Sequence, residues 1–300
     1  MSKTRARWQA LVDTLNEHNY RYYVQNDPSV SDGEYDDLLR ELINLETQHP
    51  ELVVDWSPTQ RVGHAPLSDF AKVVREVPML SLDNAYSETD LLAFCERVQK
   101  GLGGRAPRYL VEPKIDGIGI EVTYERGKYV LGATRGDGRT GDDISANLRT
   151  VRVIPNSLSE PVSVTVRGEA FMEREDFARM NREREEAGEE RFKNPRIATG
   201  GTLKLHDSRI VGARPIRALF YELVDGETRQ RTHKDSLDWL ATLRLPVSPH
   251  VRACDSPAEL VQIVADWLGR RHELAYDADG LVVKVDAYDL RAELGRTAKF

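Results

Sequence analysis

Cysteine is nearly absent from this chain. Cys95 and Cys254 lie far apart and neither belongs to a CxxC pair. That removes the spacing of a disulfide framework or of a structural zinc site, and a reduced, cytoplasmic protein is expected. Long hydrophobic runs are missing too, so no membrane partner is expected. Met1 to Trp8 is polar and basic, and no signal peptide is read there. A basic excess is also lacking: 42 Lys and Arg stand against 49 Asp and Glu, for a net charge of -7. A surface coated in positive charge is thereby excluded, whereas a local basic groove is not. Neither GxxxxGK[ST] nor GxGxxG occurs, which rules out a P-loop and a dinucleotide fingerprint. No internal repeat or low-complexity segment is visible.

What is present suits a soluble, core-forming protein, and 300 residues suggest about two domains. Glu173 to Glu190 is acid-rich. Arg191 to Arg217 instead holds Arg191, Lys193, Arg196, Lys204, Arg209, Arg214 and Arg217 against only Asp207, a segment suited to phosphate groups.

The pattern predicts a helix over residues 4–24, with Trp8, Leu11, Val12, Leu15, Tyr22 and Tyr23 at mostly helical spacing. Asn26 to Ser29 breaks it. Ser31 or Asp32 then caps a second helix whose apolar face is Tyr35, Leu38, Leu39, Leu42, Ile43 and Leu45, ended by His49-Pro50. This helical hairpin is too short for a comfortable core of its own and is expected to dock on the remainder of the chain. Around its loop gather Tyr22, Tyr23, Asp32, Tyr35 and Asp36. Two carboxylates and stacking rings suit a cationic, flat, hydroxyl-bearing ligand; caps and core tyrosines explain the same residues equally well. Residues 50–72 read as a connector.

Tyr109 to Ile120 reads as strand, Lys114, Asp116-Gly117, strand. From these residues alone, a hairpin turn carrying a solvated lysine is the simpler reading. The surroundings argue for more. Ile118–Tyr124 and Tyr129–Thr134 alternate as paired strands. Arg135 to Asp143 sets glycines and arginines among acids, Val162 to Glu169 is a strand ending in a charged turn, and Phe192 to Leu205 contains a glycine-softened loop with cations. Gly280 to Val285 is the last strong strand. Glu112, Lys114, Asp116, Arg135, Glu169, Asp279 and Lys284 thus stand at strand ends, and Arg196, Lys204 and Arg271 lie in segments able to join them. Lysine attack on phosphorus needs this inventory: cations for the non-bridging oxygens, acids for metal and ribose hydroxyls. Lys284, an arginine and a divalent metal beside Lys114 would also disfavour its ammonium form.

These residues resemble the bacterial NAD+-dependent DNA ligases over nearly the whole chain. The markers are Tyr35-Asp36, Pro78-Met79-Leu80-Ser81-Leu82, Lys114-Ile115-Asp116-Gly117, Thr134 to Gly138, Val166 to Glu169, Asn194-Pro195-Arg196 and Asp279 to Lys284. The resemblance implies an α+β fold. Residues 1–70 would be a helical NMN-binding subdomain with linker. Residues 71–300 would be a nucleotidyltransferase (ATP-grasp-like DNA ligase adenylation) domain of antiparallel sheets with flanking helices.

By the same resemblance, Lys114 would take AMP from NAD+ and expel nicotinamide mononucleotide (NMN). Glu112 would read adenine in a pocket lined by Ser81 and Leu82, Arg135 and Glu169 would hold the ribose, and Lys284 would meet the α-phosphate. Tyr22, Tyr23, Asp32, Tyr35 and Asp36 would clamp the NMN half. Asp279 and Asp116 would position magnesium or neighbouring cations, and Arg196, Lys204 and Arg271 would face phosphates. Three positions depart from the family pattern: Ile197 replaces a usual asparagine, Lys204 a frequent arginine, and Tyr23 a histidine found in some relatives. By the resemblance the chain is expected to be a fragment, without the family's last lysine motif and the oligonucleotide-binding, zinc-finger, helix-hairpin-helix and C-terminal domains expected after it. Zinc is expected only in that missing part. A monomer is expected that adenylates itself but binds nicked double-stranded DNA weakly and does not seal it efficiently. An ATP-dependent ligase or capping-type nucleotidyltransferase, or a non-catalytic nucleotide-binding module, is the alternative.

Overall fold

In the computed structural model the described residues are 3–295, except 26, 28, 62–68, 81 and 227–229. Helices α1 (Lys3–Tyr20) and α2 (Asp32–Gln48) form the expected hairpin, joined through a π-helical turn, Arg21–Gln25. Ser31 is the cap of α2: its hydroxyl accepts from the Glu34 amide while the Glu34 carboxylate accepts from the Ser31 amide. Trp8, Leu11, Val12, Leu15 and Leu42 bury a small core between the helices. Ile43 departs from the expected apolar face and is 45% exposed, one residue around the helix from Leu42. The connector is tied back by the buried Glu46, which accepts from Trp8 Nε1 at 2.9 Å and Ser57 Oγ at 2.7 Å.

Three antiparallel sheets come next. Strands β1 (Lys72–Val74), β2 (Tyr109–Ile115), β3 (Ile118–Glu125), β4 (Lys128–Thr134), β5 (Thr140–Asp142), β6 (Val164–Met172), β7 (Ile216–Gly226), β8 (Arg252–Cys254) and β9 (Ala278–Val285) pair as β1-β5, β8-β2-β9 and β4-β3-β6-β7. Eight further helices flank them: α3 (Glu88–Gly101), α4 (Ser145–Thr150), α5 (Arg174–Glu186), α6 (Pro195–Leu203), α7 (Ser208–Gly212), α8 (His233–Thr242), α9 (Pro257–Arg270) and α10 (Tyr288–Leu294). Period-two alternation explains the layering. Ile120, Val122 and Tyr124 of β3 join Val164 and Val166 of β6 in the large core, whereas Tyr109 and Val111 of β2 bury against Val98, Leu102 and Leu260. Phe171, Leu274 and Tyr276 form a fourth cluster, against which Ile115, Leu219 and Ala278 pack. No helix among the described residues is long and apolar enough to cross a membrane.

Two readings of local structure are corrected. Asp116-Gly117 is not a hairpin turn, because β2 and β3 belong to different sheets; the chain crosses from one sheet to the other there. Gly117 permits the crossing, since a Cβ at this position would sit 2.3 Å from the Ala170 carbonyl oxygen. The cation-bearing glycine loop after Asn194 is largely helix α6. Asn194 caps it through the Ile197 amide at 2.7 Å, and Pro195 occupies its first turn. Its glycines reflect close packing: a Cβ on Gly200 would lie 3.0 Å from Ile118 Cδ1.

The helical hairpin docks on the sheets through Tyr23 and Val24, which pack against the large core, and the hairpin and its connector make polar contacts besides. Lys128 Nζ lies 3.4 Å from the Trp56 ring centroid, and Arg149 donates to the Asp55 carbonyl at 3.1 Å. Arg244 pairs with Glu17, and Arg152 donates to the Tyr23 hydroxyl.

Candidate active site

One face of the β8-β2-β9 sheet carries the chemistry. Leu110, Glu112 and Lys114 alternate onto the same side of β2, opposite Tyr109 and Val111 in the core. In the β9 register Leu110 faces Lys284, Glu112 faces Val282 and Lys114 faces Gly280. Lys284 is therefore the diagonal neighbour of Glu112 on that face. At Lys114/Ile115 the pairing shifts, leaving Asp279 as the extra residue between Ala278 and Gly280. A bulge re-aims a side chain, and the Asp279 carboxylate is 2.7 and 2.9 Å from Lys114 Nζ.

A cavity of about 800 Å³ opens over this face, within the range of small-ligand sites. Lys114, Arg135, Arg167, Arg196, Lys204 and Lys284 line it, against Glu112, Glu169 and Glu222. An acidic chain thus concentrates positive charge in one concave place, where it favours phosphate groups. Pro78, Met79, Leu80 and Leu82 contribute apolar lining.

Each polar group has an identifiable support. Arg196 donates to Asp116 at 2.9 Å, which holds the guanidinium beside the crossing. Lys204 pairs with Asp142 at 3.0 Å. Glu112 is buried, and burial alone would raise its pKa. Lys284 and His233 outweigh that and hold its carboxyl down at about 2. Burial pushes Glu169 the other way, up to about 7, despite the pull of Arg196, Lys114 and Arg135. A carboxyl with a raised folded-state pKa binds its proton more tightly folded than unfolded. Stability is therefore lost as pH rises from about 4.5 through about 7. The difference in thermal midpoint between the parent and Glu169→Gln is expected to move in the variant's favour from pH 5 to pH 8. A pH-independent difference would contradict the buried carboxyl.

The apolar rim is held by a buried charge triad. Arg75, whose side chain is 1% exposed, lies 3.1 Å from Glu121, and Arg167 donates to the same carboxylate at 2.7 Å. Arg167 also donates to the carbonyls of Val77 and Pro78, and the Met79 amide donates to the Gly138 carbonyl at 2.8 Å. Residues 75–80 are thereby strapped over the cavity.

Most of the sequence-derived residues converge here: Leu82, Glu112, Lys114, Arg135, Glu169, Arg196, Lys204 and Lys284 line the cavity, with Asp116 and Asp279 paired to two of them. Lys114 shares the cavity with these cations but is itself paired with Asp279, and Lys284 lies against Glu112 at 3.1 Å and the Tyr221 carbonyl at 3.0 Å. Arg271 is not among the lining residues; it sits in the 3-10 turn Arg271–Glu273. Nor do the hairpin residues reach the cavity. Tyr23 is spent on Arg152 and Arg217, Tyr35 packs in the hairpin core, and Tyr22 and Asp36 are exposed. Ser81 and the side chain of Asp32 lie outside the described residues. Sequence reasoning assigned no role to His233, Tyr221, Arg167 or Glu121. The strand alternation of Glu121 and Arg167 was available as a signal; a lone histidine opening a helix offers none.

Comparison with known proteins agrees with this geometry. A family model of the NAD-dependent DNA ligase adenylation domain matches residues 67–300, and one of a DNA ligase-like N-terminal NAD+-binding domain matches residues 1–63. The chain is 45% identical to a DNA ligase of Bacillus cytotoxicus over 98% of its length and 44% of the relative's. It is 46% identical to one of Thermotoga maritima, covering 97% and 42%, and 43% identical to one of Desulforamulus reducens, covering 99% and 45%. It therefore spans less than half the length of these curated relatives.

Proposed function

Because the chain belongs to the NAD-dependent DNA ligase adenylation family, we propose that Lys114 accepts an adenylyl group from NAD+ and releases nicotinamide mononucleotide. The observation that carries this reading is the placement of Lys114 at a strand end opposite the β9 bulge, paired with Asp279, in the lining of a cation-bearing cavity. The ammonium must lose a proton before it can attack, and the Asp279 carboxylate at 2.7 Å is within reach to take it. The Lys114 nitrogen then bonds to the α-phosphorus as the bridging P–O bond breaks, and NMN departs with that oxygen. Arg196 and Lys284 balance charge on the non-bridging oxygens, with Lys204 and Arg271 serving outer phosphates. Glu112 accepts from the adenine amine between Leu82, Ser81 and Val282, and Arg135 with Glu169 holds the ribose.

Residues 1–70 supply the NMN half-site through Tyr22, Tyr23, Asp32, Tyr35 and Asp36, and residues 71–300 the adenylyl site. Since Tyr23 contacts Arg152 and Arg217 in this arrangement, the hairpin has to leave that dock to close on the dinucleotide. Asp116 and Asp279 would hold magnesium together with phosphates of the cofactor: Asp116 is paired with Arg196 and Asp279 with Lys114, and no cluster of three acidic, histidine or cysteine groups is found among the described residues. Magnesium accepts one or two carboxylates plus substrate phosphates, so these two acids suit it only as partial ligands. Transfer to nicked double-stranded DNA is the proposed destination of the adenylyl group in the longer protein.

The test is the intact mass after incubation with magnesium and either NAD+ or ATP. A gain of one adenylyl group with NAD+ and none with ATP is expected. Asp36→Ala is expected to slow the NAD+ reaction at least about tenfold, as removal of a binding contact to the leaving half would. Labelling by ATP, or an undiminished Asp36→Ala rate, would contradict the reading.

A further inference from the structure

His233 is a buried group beside the cavity that the proposed chemistry does not use. It opens α8, and its place is set by the residue that follows β9: the His233 amide donates to the Asp286 carbonyl at 2.8 Å, and the Lys234 amide donates to the Asp286 carboxylate at 3.0 Å. Its fully buried ring consequently meets Glu112 and Lys284. Nε2 lies 2.8 Å from Glu112 Oε1 and 3.1 Å from Lys284 Nζ.

The protonation pattern follows from these contacts. Glu112 is ionised, so a nitrogen 2.8 Å from its oxygen must carry a hydrogen. Lys284 Nζ meets the Tyr221 carbonyl, the same Oε1 and Nε2 itself; with the Nε2 hydrogen directed to Glu112, the Lys284 hydrogens go to the two oxygens. Burial and the neighbouring Lys284 push His233 down to about 4, which keeps the ring neutral. His233 is then the Nε2–H tautomer, and Nδ1, which has no partner among the described residues, is a bare lone pair and not an unsatisfied donor. Both clamps therefore close on Oε1. Among the described residues Oε2 meets no donor, although Glu112 lines the cavity.

We infer that His233 is a specificity-determining positioning residue: by fixing Oε1 it leaves Oε2 as a rigid acceptor for the cavity, which selects a purine bearing an exocyclic amine over one bearing a carbonyl there. This rests on the proposed reading of Glu112 toward the base. A carboxylate oxygen held in place accepts from an amine and repels a carbonyl oxygen, whereas a carboxylate free to rotate discriminates less. Sites built to hydrogen-bond one group reject analogues lacking it strongly, because a buried partner is left unmatched.

The experiment compares NAD+ with nicotinamide hypoxanthine dinucleotide in single-turnover labelling of the 300-residue chain, followed by intact mass. The parent is expected to favour NAD+ by at least about a hundredfold. In His233→Leu that ratio should fall by roughly tenfold or more, the worth of one charge-assisted hydrogen bond. The loss should lie mainly in the half-saturating concentration of NAD+ and not in the maximal rate. His233→Gln, whose terminal amide can donate from the same place, should restore the ratio to within about threefold of the parent. A Gln variant as undiscriminating as the Leu variant overturns the inference. So does a Leu variant that keeps the parent ratio while Glu112→Gln loses it, an outcome that leaves the reading of Glu112 standing. If Glu112→Gln keeps the preference for NAD+, that reading fails and the inference with it. Independently of any variant, nitrogen-15 NMR of the parent at pH 7 should show His233 protonated at Nε2 and bare at Nδ1. The opposite tautomer, or an imidazolium, overturns the assignment.

Discussion

Lys114→Ala is expected to carry no adenylyl group after incubation with NAD+ and magnesium, under conditions that label the parent fully. The loss should amount to at least about four orders of magnitude in rate, as for removal of a catalytic nucleophile. No other amine at the site can stand in. Lys284 is held by Glu112 and the Tyr221 carbonyl, and Lys204 by Asp142. Lys114→Arg should be equally inactive, because a guanidinium stays protonated and has no lone pair to offer. Neither change should disturb the fold by more than about 0.5 kcal/mol, since the Lys114 side chain is 39% exposed and its ion pair with Asp279 lies in partial solvent. Intact mass and a thermal melt on the same samples separate lost chemistry from lost structure. Labelling of Lys114→Ala at a rate near the parent's would remove Lys114 from the mechanism.

The second large effect concerns stability. Glu121→Leu is expected to cost about 3–5 kcal/mol, because it removes the shared carboxylate from two buried guanidiniums at once and leaves Arg75 only backbone carbonyls and Arg167 only carbonyls and the half-exposed Glu222 at 3.5 Å. Arg167→Leu should cost less, on the order of 1–3 kcal/mol, since Glu121 keeps Arg75 at 3.1 Å and the carboxylate is not left alone. Both changes also loosen residues 75–80, through the lost contact of Arg167 with the Val77 and Pro78 carbonyls or through its reorientation. Urea unfolding with a common slope reads the two costs. If they are equal, the backbone carbonyls and not the shared carboxylate hold the triad.

Much of the site was legible because strands alternate. Glu112 and Lys114 are two residues apart, so they must share a face, and Tyr109 and Val111 mark the opposite face as core. The close approach of Gly117 to Ala170 was not legible, because Asp-Gly is equally a turn signal. The capped start of α2 was readable to within one residue, Ser31 or Asp32, for a local reason: a side-chain oxygen satisfies a first-turn amide. What depended on partners distant in sequence was not. The run around Asp116-Gly117 looks like a turn until the sheet membership of its two strands is known. The glycine-rich stretch after Asn194 reads as loop by propensity, and burial of Ala198, Thr199, Thr202 and Leu203 makes it helix.

The sequence by itself therefore determined which side chains are chemically competent: a lysine, acids and cations at strand ends, in one family's order. Period-two geometry and turn chemistry are local, and local rules reach across a few residues only. The tertiary structure alone decided how those groups are paired. It gave Asp279 to Lys114 through a bulge, turned Tyr23 onto Arg152 away from the cavity, and brought His233 from 121 residues away to the Glu112 carboxylate. Such pairings depend on sheet register and on the burial of charge, which only the packed chain sets.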